Sequence, residues 1–162
     1  MKSFDTLELI ESSDIDHLIA VLQDADESIG RIRDVLTDSA TVSYEILLKG
    51  DRAGAIAMHW QPDTSEILYI ALNEAARGRG MGRASMMLIE AEARRRGVQS
   101  LLVGTSNASL GTIMFYQKCG FRMDSVRRDH FNYFTAPVYE NSIRLRDMLM
   151  LRRAMSQVEW NE

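Results

Sequence analysis

Apolar residues in this chain recur with two periods, two and about 3.6, and the changes between them mark the elements. Residues 4–10 alternate, with Leu7 and Leu9 on one side, and predict a first strand. Ser12-Ser13-Asp14 then offers N-cap side chains. Ile15, Leu18, Ile19 and Leu22 follow at helical spacing and leave His17 off the stripe, in solvent. A second helix is predicted over 27–36, with Ile29, Ile32, Arg33 and Leu36 on one side. Residues 41–49 are rich in β-formers and end at Gly50-Asp51, a turn signal, so 53–60 returns as an antiparallel partner. The small residues Ala53, Gly54, Ala55 and Ala57 predict close packing by a helix there. Gln61-Pro62-Asp63-Thr64 is a further turn.

The stretch around which the rest is organised runs from 66 to 96. It contains the apolar run Ile67-Leu68-Tyr69-Ile70-Ala71-Leu72, the turn Arg77-Gly78-Arg79-Gly80-Met81-Gly82, and an amphipathic segment over 83–96. That order reads as strand, glycine-rich turn, helix. The helix is predicted to present Ala84, Met87, Leu88 and Ala91 on one face, widened by Met86 and Ile89. Glu90–Arg94 and Glu92–Arg96 are Glu-first i,i+4 pairs, and Gly97 stands where a C-cap glycine belongs. Arg94-Arg95-Arg96 reads as a solvated helix end that complements the dipole. A short buried strand over 100–104 follows. Strand, helix and strand with short connections imply a parallel crossover. A helix over 107–118 has Leu110, Ile113 and Met114 as its apolar stripe, and Gly120 stops it. A strand starts at Phe121-Arg122-Met123, a loop over 132–141 holds Pro137, and 143–153 alternates as a final half-buried strand. Residues after Ala154 read as a frayed tail.

The turn carries the chemistry. A helix N-terminus leaves backbone N–H groups unpaired and adds partial positive charge, which together suit a phosphate. Glycines at 78, 80 and 82 remove Cβ atoms from the approach, and Arg77, Arg79 and Arg83 add positive charge around it. The turn is not a P-loop, because no lysine follows its glycines. It is not the dinucleotide fingerprint either: the third glycine is missing, and the next strand ends in Thr105-Ser106-Asn107 with no acid. The pattern Arg/Gln-x-x-Gly-x-Gly/Ala fits as Arg77-x-x-Gly80-x-Gly82, between a strand and a helix. Phe115-Tyr116-Gln117-Lys118-Cys119-Gly120-Phe121 matches a second pattern, Phe/Leu-Tyr-x-x-x-Gly-Phe. Both, in this order, resemble the GCN5-related N-acetyltransferase (GNAT) superfamily, over roughly residues 67–121.

Composition agrees with a globular reading. The 162 residues suit one domain with a sizeable core, and 46% apolar with 26% charged residues is ordinary for a soluble protein. A net charge of −4 gives no basic footprint for nucleic acid. The single cysteine, Cys119, excludes an intrachain disulfide, fits a cytoplasmic location and is expected to be buried packing. No signal peptide is expected from Met1-Lys2-Ser3-Phe4-Asp5, and no stretch approaches the roughly 18 apolar residues of a membrane span. No histidine, cysteine and carboxylate spacing suggests a metal site.

The resemblance implies an α+β fold, an α/β/α sandwich. Its mixed, largely antiparallel sheet has about seven strands, with helices on both faces and a splayed parallel pair, here 67–72 and 101–104. It implies acetyl-coenzyme A (acetyl-CoA) as acetyl donor, a primary amine of a small molecule or protein as acceptor, and direct attack. The diphosphate would rest on the amides from Gly78 to Arg83, with Arg77, Arg79 and Met81 among the cofactor-binding residues. A backbone N–H near Leu72 would polarise the thioester carbonyl. Tyr116 matches the tyrosine that protonates the leaving sulfur; the reading set against it is a core tyrosine with a satisfied hydroxyl. Asn107 either reaches the pantetheine arm or caps a helix, and Ser109 stands about where the superfamily's asparagine lies. The general base is open. Glu66 begins the central strand, where some members carry a carboxylate acting through water, but a solvated glutamate looks the same. His130 reads as a base, an acceptor contact or a structural side chain. His59, beside Trp60, reads as packing. Acceptor-site loops are expected at 28–34 and 129–141. A homodimer is common in the superfamily, though these residues do not derive one. The rival readings are a non-catalytic acyl-CoA sensor on the same fold and a nucleotide-binding protein.

Overall fold

Two short side chains start the first helices. In the computed structural model, which describes residues 7–156, the Asp14 carboxylate accepts from the His17 amide and Ser28 Oγ from that of Arg31, each at 3.3 Å. These caps precede α1 (Ile15–Leu22) and α2 (Ile29–Thr37), which follow strand β1 (Leu7–Glu11). The hairpin β2 (Thr41–Leu48) and β3 (Asp51–His59) comes next, then β4 (Thr64–Leu72) and a 3-10 turn at Glu74–Ala76. The rest is α3 (Met81–Arg95), β5 (Ser100–Ser106), α4 (Leu110–Lys118), β6 (Arg122–Arg127), β7 (Tyr139–Glu140), β8 (Ile143–Arg144) and β9 (Met148–Ala154). The first strand's expected start at Phe4 lies outside the described residues.

One seven-stranded sheet has the order β1-β2-β3-β4-β5-β9-β6, and β7-β8 is a separate hairpin. Every pairing in the large sheet is antiparallel except β4 with β5. Each face carries its own apolar cluster. On one, Leu18, Ile19, Leu22, Ile32 and Leu36 of α1 and α2 pack over Ala55, Ala57 and Ala71. On the other, Ala84, Met86, Ile89 and Ala93 of α3 and Tyr116 of α4 meet Tyr44, Ile46, Ile56, Met58, Leu101 and Leu151. The architecture is therefore the sandwich that the motifs imply.

Ala55 and Ala57 lie under the helices as predicted, but Gly54 is small for another reason. A Cβ there would stand 2.5 Å from the Ala71 carbonyl oxygen, on the neighbouring strand.

Several expectations need correction. The buried face of α3 is Ala84, Ser85, Met86, Ile89, Glu90 and Ala93, while Met87 is 44% exposed. Two polar residues hide this face from a periodicity reading, and each is satisfied. Ser85 Oγ donates to the Met81 carbonyl at 2.8 Å, and Glu90 meets Arg153 of β9 at 2.8 Å. Burial raises the Glu90 pKa and lowers that of Arg153, so desolvation opposes both charges and the pair specifies packing more than it stabilises. The expected stripe of α4 is also misplaced. Leu110 and Met114 are half exposed, and the helix buries Tyr116 with Cys119 just beyond it. The final strand starts at Met148, because residues 143–144 belong to the small hairpin. Order also passes Ala154: Met155 is buried, and its amide donates to the Gln99 carbonyl at 2.9 Å. His17 is half-buried and stands 3.8 Å from Glu45.

Gly54→Ala forces β3 and β4 apart. We expect a loss of about 1–3 kcal/mol of stability by denaturant titration, the usual cost of overpacking.

Candidate active site

The site begins where a ladder stops. Parallel pairing of β4 with β5 runs from Thr64↔Ser100 to Ile67↔Val103 and goes no further, although both strands continue. The other edge of β4 explains the divergence. Ala57 and Met58 of β3 face Tyr69 and Ile67, so Leu68 is an extra residue, a bulge. A bulge bends its strand and sharpens its twist. Beyond it, residues 68–72 leave β5, whose far edge stays paired to β9 through Ser106.

The opening holds a cavity of about 500 Å3. Its walls include Leu68, Tyr69 and Ile70 of β4, Gly104, Thr105 and Ser106 of β5, and Ser109, Thr112 and Tyr116 of the α4 region. The 23–27 segment and residues 130–134 close the outer side. Tyr116 is 5% exposed, and among the described residues its hydroxyl has no hydrogen-bond partner. Burial, with Cys119 beside it, raises its pKa above the ordinary 10. A capping pair fixes the ring: the Gly120 amide donates to the Gln117 carbonyl at 2.9 Å and the Phe121 amide to that of Tyr116 at 3.0 Å. Cys119 is buried, with its thiol pKa raised by that burial, as packing requires.

Past the end of β4 stands the glycine turn. Gly78 and Gly80 take φ of 80° and 79°, a left-handed conformation natural to glycine, and Gly80 is the N-cap of α3. Gly82 is small because a Cβ there would sit 3.2 Å from the Phe115 ring of α4. The start of α3 thus packs closely on the middle of α4; the Met81 amide closes the turn on the Gly78 carbonyl at 3.1 Å, and the next first-turn amides, those of Gly82 and Arg83, are the ones a helix start leaves for an anion. Arg79 is exposed at φ 52°, and Met81 packs against the core. Arg83 is exposed in the first turn of α3. Arg77 folds back: Nε donates to the Leu72 carbonyl at 3.0 Å, and its guanidinium pairs with Asp24.

Glu66, His130 and Tyr116 line one cavity, while residues 72–83 and Asn107 lie outside its lining. The Asn107 side chain neither caps α4 nor faces the cleft. Its Oδ1 accepts from the amides of Arg146 and Asp147 at 2.9 and 3.1 Å, and Nδ2 donates to the Arg144 carbonyl at 3.0 Å. Both oxygens of Glu66 accept from Arg127, at 3.0 and 3.2 Å. His130 meets Phe131 edge-on at 5.0 Å, and burial with Arg31 and Arg127 nearby lowers its pKa below 6.5. His59 stays on β3, opposite Glu66.

Sequence reasoning missed two carboxylates. Asp26 accepts from Tyr69 Oη at 2.7 Å, from the Ser28 amide at 2.8 Å and from Arg31 Nε at 3.4 Å. Burial and this bond raise the Tyr69 pKa. Arg31 continues across the mouth to Tyr133, 3.8 Å from its ring centroid. Glu140 accepts from Ser109 Oγ at 2.7 Å, and Ser109 Oγ is 2.7 Å from Ser106 Oγ. Neither carboxylate belongs to a recognisable spacing; Ser-rich 106–109 was the one visible signal. No group of three or more His, Cys, Asp or Glu suited to a metal occurs among the described residues, and no helix there is long and apolar enough to cross a membrane.

The pattern defining the acetyltransferase (GNAT) family matches residues 8–121. The chain belongs to this family. The curated N-acetyltransferase YvbK of Bacillus subtilis (strain 168), itself uncharacterised, is 32% identical over 97 residues. That match spans 59% of this chain and 63% of YvbK, less than two thirds of the relative's length. A GNAT acetyltransferase of Elizabethkingia anophelis with acetyl-CoA bound has 27% identity and a TM-score of 0.82 over 93% of this chain and 99% of its own. A Bacillus subtilis acetyltransferase in complex with CoA has 30% identity and a TM-score of 0.79, covering 92% and 97% of the two chains.

Asp26→Ala leaves the half-buried Tyr69 hydroxyl and the Ser28 amide unpaired. We expect a stability loss of about 1–3 kcal/mol in denaturant melts, the usual cost of orphaned donors.

Proposed function

We propose that the protein transfers acetyl from acetyl-CoA to a primary amine by direct attack, in the cytoplasm. The observation that carries this reading is the unladdered cleft between β4 and β5, lined by Tyr116, whose hydroxyl has no hydrogen-bond partner among the described residues. The donor's fit is supported by the turn: two left-handed glycines ahead of a 15-residue helix present amides to an anion without a side chain in the way.

Acetyl-CoA supplies the thioester carbonyl and the thiol leaving group. The amides of 78–83 hold its diphosphate, with Arg79 and Arg83 beside them. Arg77, tethered to Leu72 and Asp24, braces the turn against the 23–27 segment. A backbone N–H near Leu72 donates to the carbonyl oxygen as charge develops there. Tyr116 gives its proton to the departing sulfur. Of the two candidate bases, Glu66 already has both oxygens on Arg127. His130 is held neutral at pH 7, so it has a lone pair for the ammonium proton. Asn107 is occupied by the 144–147 backbone, whose Leu145 lines the cavity, so in this reading it positions that wall instead of contacting the donor.

Tyr116→Phe lowers kcat by about 10²–10⁴-fold, the usual worth of a positioned acid, with acetyl-CoA affinity by calorimetry unchanged. Equal kcat in the two proteins would remove Tyr116 from the reaction, and absence of acetyl-CoA binding would remove the donor. The pH profile gives a signed check. With its pKa raised, the phenol keeps its proton up to the ordinary value of 10, so kcat shows no alkaline loss below that pH.

A further inference from the structure

The acceptor end of the cavity has a charge balance and a wall chemistry that narrow the amine. Resting on the acetyl-transfer reading above, we propose that the acceptor is a small cationic amine with a flat aromatic body and no carboxylate. Five carboxylates line the cavity: Asp24, Asp26, Glu27, Glu66 and Glu140. Two guanidiniums, those of Arg31 and Arg127, line it with them. Both are engaged. Arg31 pairs with Asp26 and lies on the Tyr133 ring, and Arg127 covers both oxygens of Glu66. Asp24 is held by Arg77. Glu27 and Glu140 have no cation partner among the described residues. His130, held neutral, adds no positive charge. An ammonium entering this space meets uncompensated negative charge, whereas a carboxylate finds no open guanidinium and costs desolvation without a partner.

The second observation is the wall. Phe131, Tyr133 and Phe134 all line the cavity and touch one another, with Phe131 and Phe134 stacked at 6.2 Å and 12° and Tyr133 and Phe134 at 4.6 Å. All three are half-buried and line the cavity, with one face of Tyr133 already covered by Arg31, so Phe131 and Phe134 offer the uncovered apolar surface. Such faces favour another ring or a cation over a flexible polar chain. The third observation is Tyr116, almost wholly buried, which lines the same space and whose hydroxyl has no partner among the described residues. The wall therefore takes the ring and Glu140 takes the ammonium. Glu140 is aimed by its bond from Ser109, whose oxygen lies beside Ser106.

The test is acetyl-CoA-dependent thiol release with 2-phenylethylamine, phenylalanine and spermidine, alongside calorimetry of acetyl-CoA with the protein and of 2-phenylethylamine with the CoA-saturated protein. We expect 2-phenylethylamine to give the highest kcat/KM and to bind without turnover. Phenylalanine, the same body with a carboxylate, should fall roughly tenfold or more, as an unpaired charge requires. Glu140→Gln should raise KM for 2-phenylethylamine roughly tenfold with kcat and acetyl-CoA affinity kept, and Glu140→Asp should recover part of the loss. If acetyl-CoA binds but phenylalanine or spermidine matches 2-phenylethylamine, or the ring amine neither binds nor reacts, the inference is overturned and the acetyl-transfer reading stands. If acetyl-CoA itself fails to bind, that reading falls and the inference with it.

Discussion

The parting of β4 from β5 after Ile67 and Val103 is the feature on which everything else in this molecule depends. A buried strand edge without a ladder leaves peptide groups that must find partners, and an unmet one costs as much as a lost hydrogen bond. The Leu68 bulge creates that edge by bending β4, and β9 holds β5 in place from its other side. The fold then has to keep the gap open. The 23–27 segment, tied to Tyr69 through Asp26, holds one lip, and Asn107 ties the 144–147 backbone on the other. A ligand with its own amide and carbonyl groups can complete the edge, as the pantetheine arm of acetyl-CoA does in this reading.

The sequence reveals the parts of this arrangement that are local. Strand, glycine turn and helix between 66 and 96 follow from period and turn chemistry, and the Tyr116 segment is readable because a C-terminal glycine stop follows it. The non-local parts are hidden. Glu90 looks like a surface residue until Arg153, 63 positions later, is brought against it. The α4 stripe misleads because nearly every position from Leu110 to Tyr116 is apolar or small, so periodicity selects no face. Asn107 takes its partners from 144–147, a loop whose position no spacing predicts. The bulge has no sequence signal: Leu68 is one apolar residue in an apolar run.

Charge is distributed with similar economy. Most cavity acids already hold an arginine, and two of those arginines join segments distant in the chain: Arg127 reaches Glu66 across 61 residues, and Arg77 reaches Asp24 across 53. At exposed sites such pairs contribute little stability, about 0–1 kcal/mol each, but they orient the walls they connect. Their selective effect comes from saturation, because a cavity whose guanidiniums are occupied repels anions and leaves Glu140 to attract cations.

The measurement that bears most directly on the central claim is the amide ¹H–¹⁵N spectrum of the labelled protein during titration with acetyl-CoA. The account predicts that the largest shifts fall on residues 78–83 and 68–72, the helix start and the unladdered edge of β4. Shifts concentrated elsewhere, with those two groups unmoved at saturation, would contradict it.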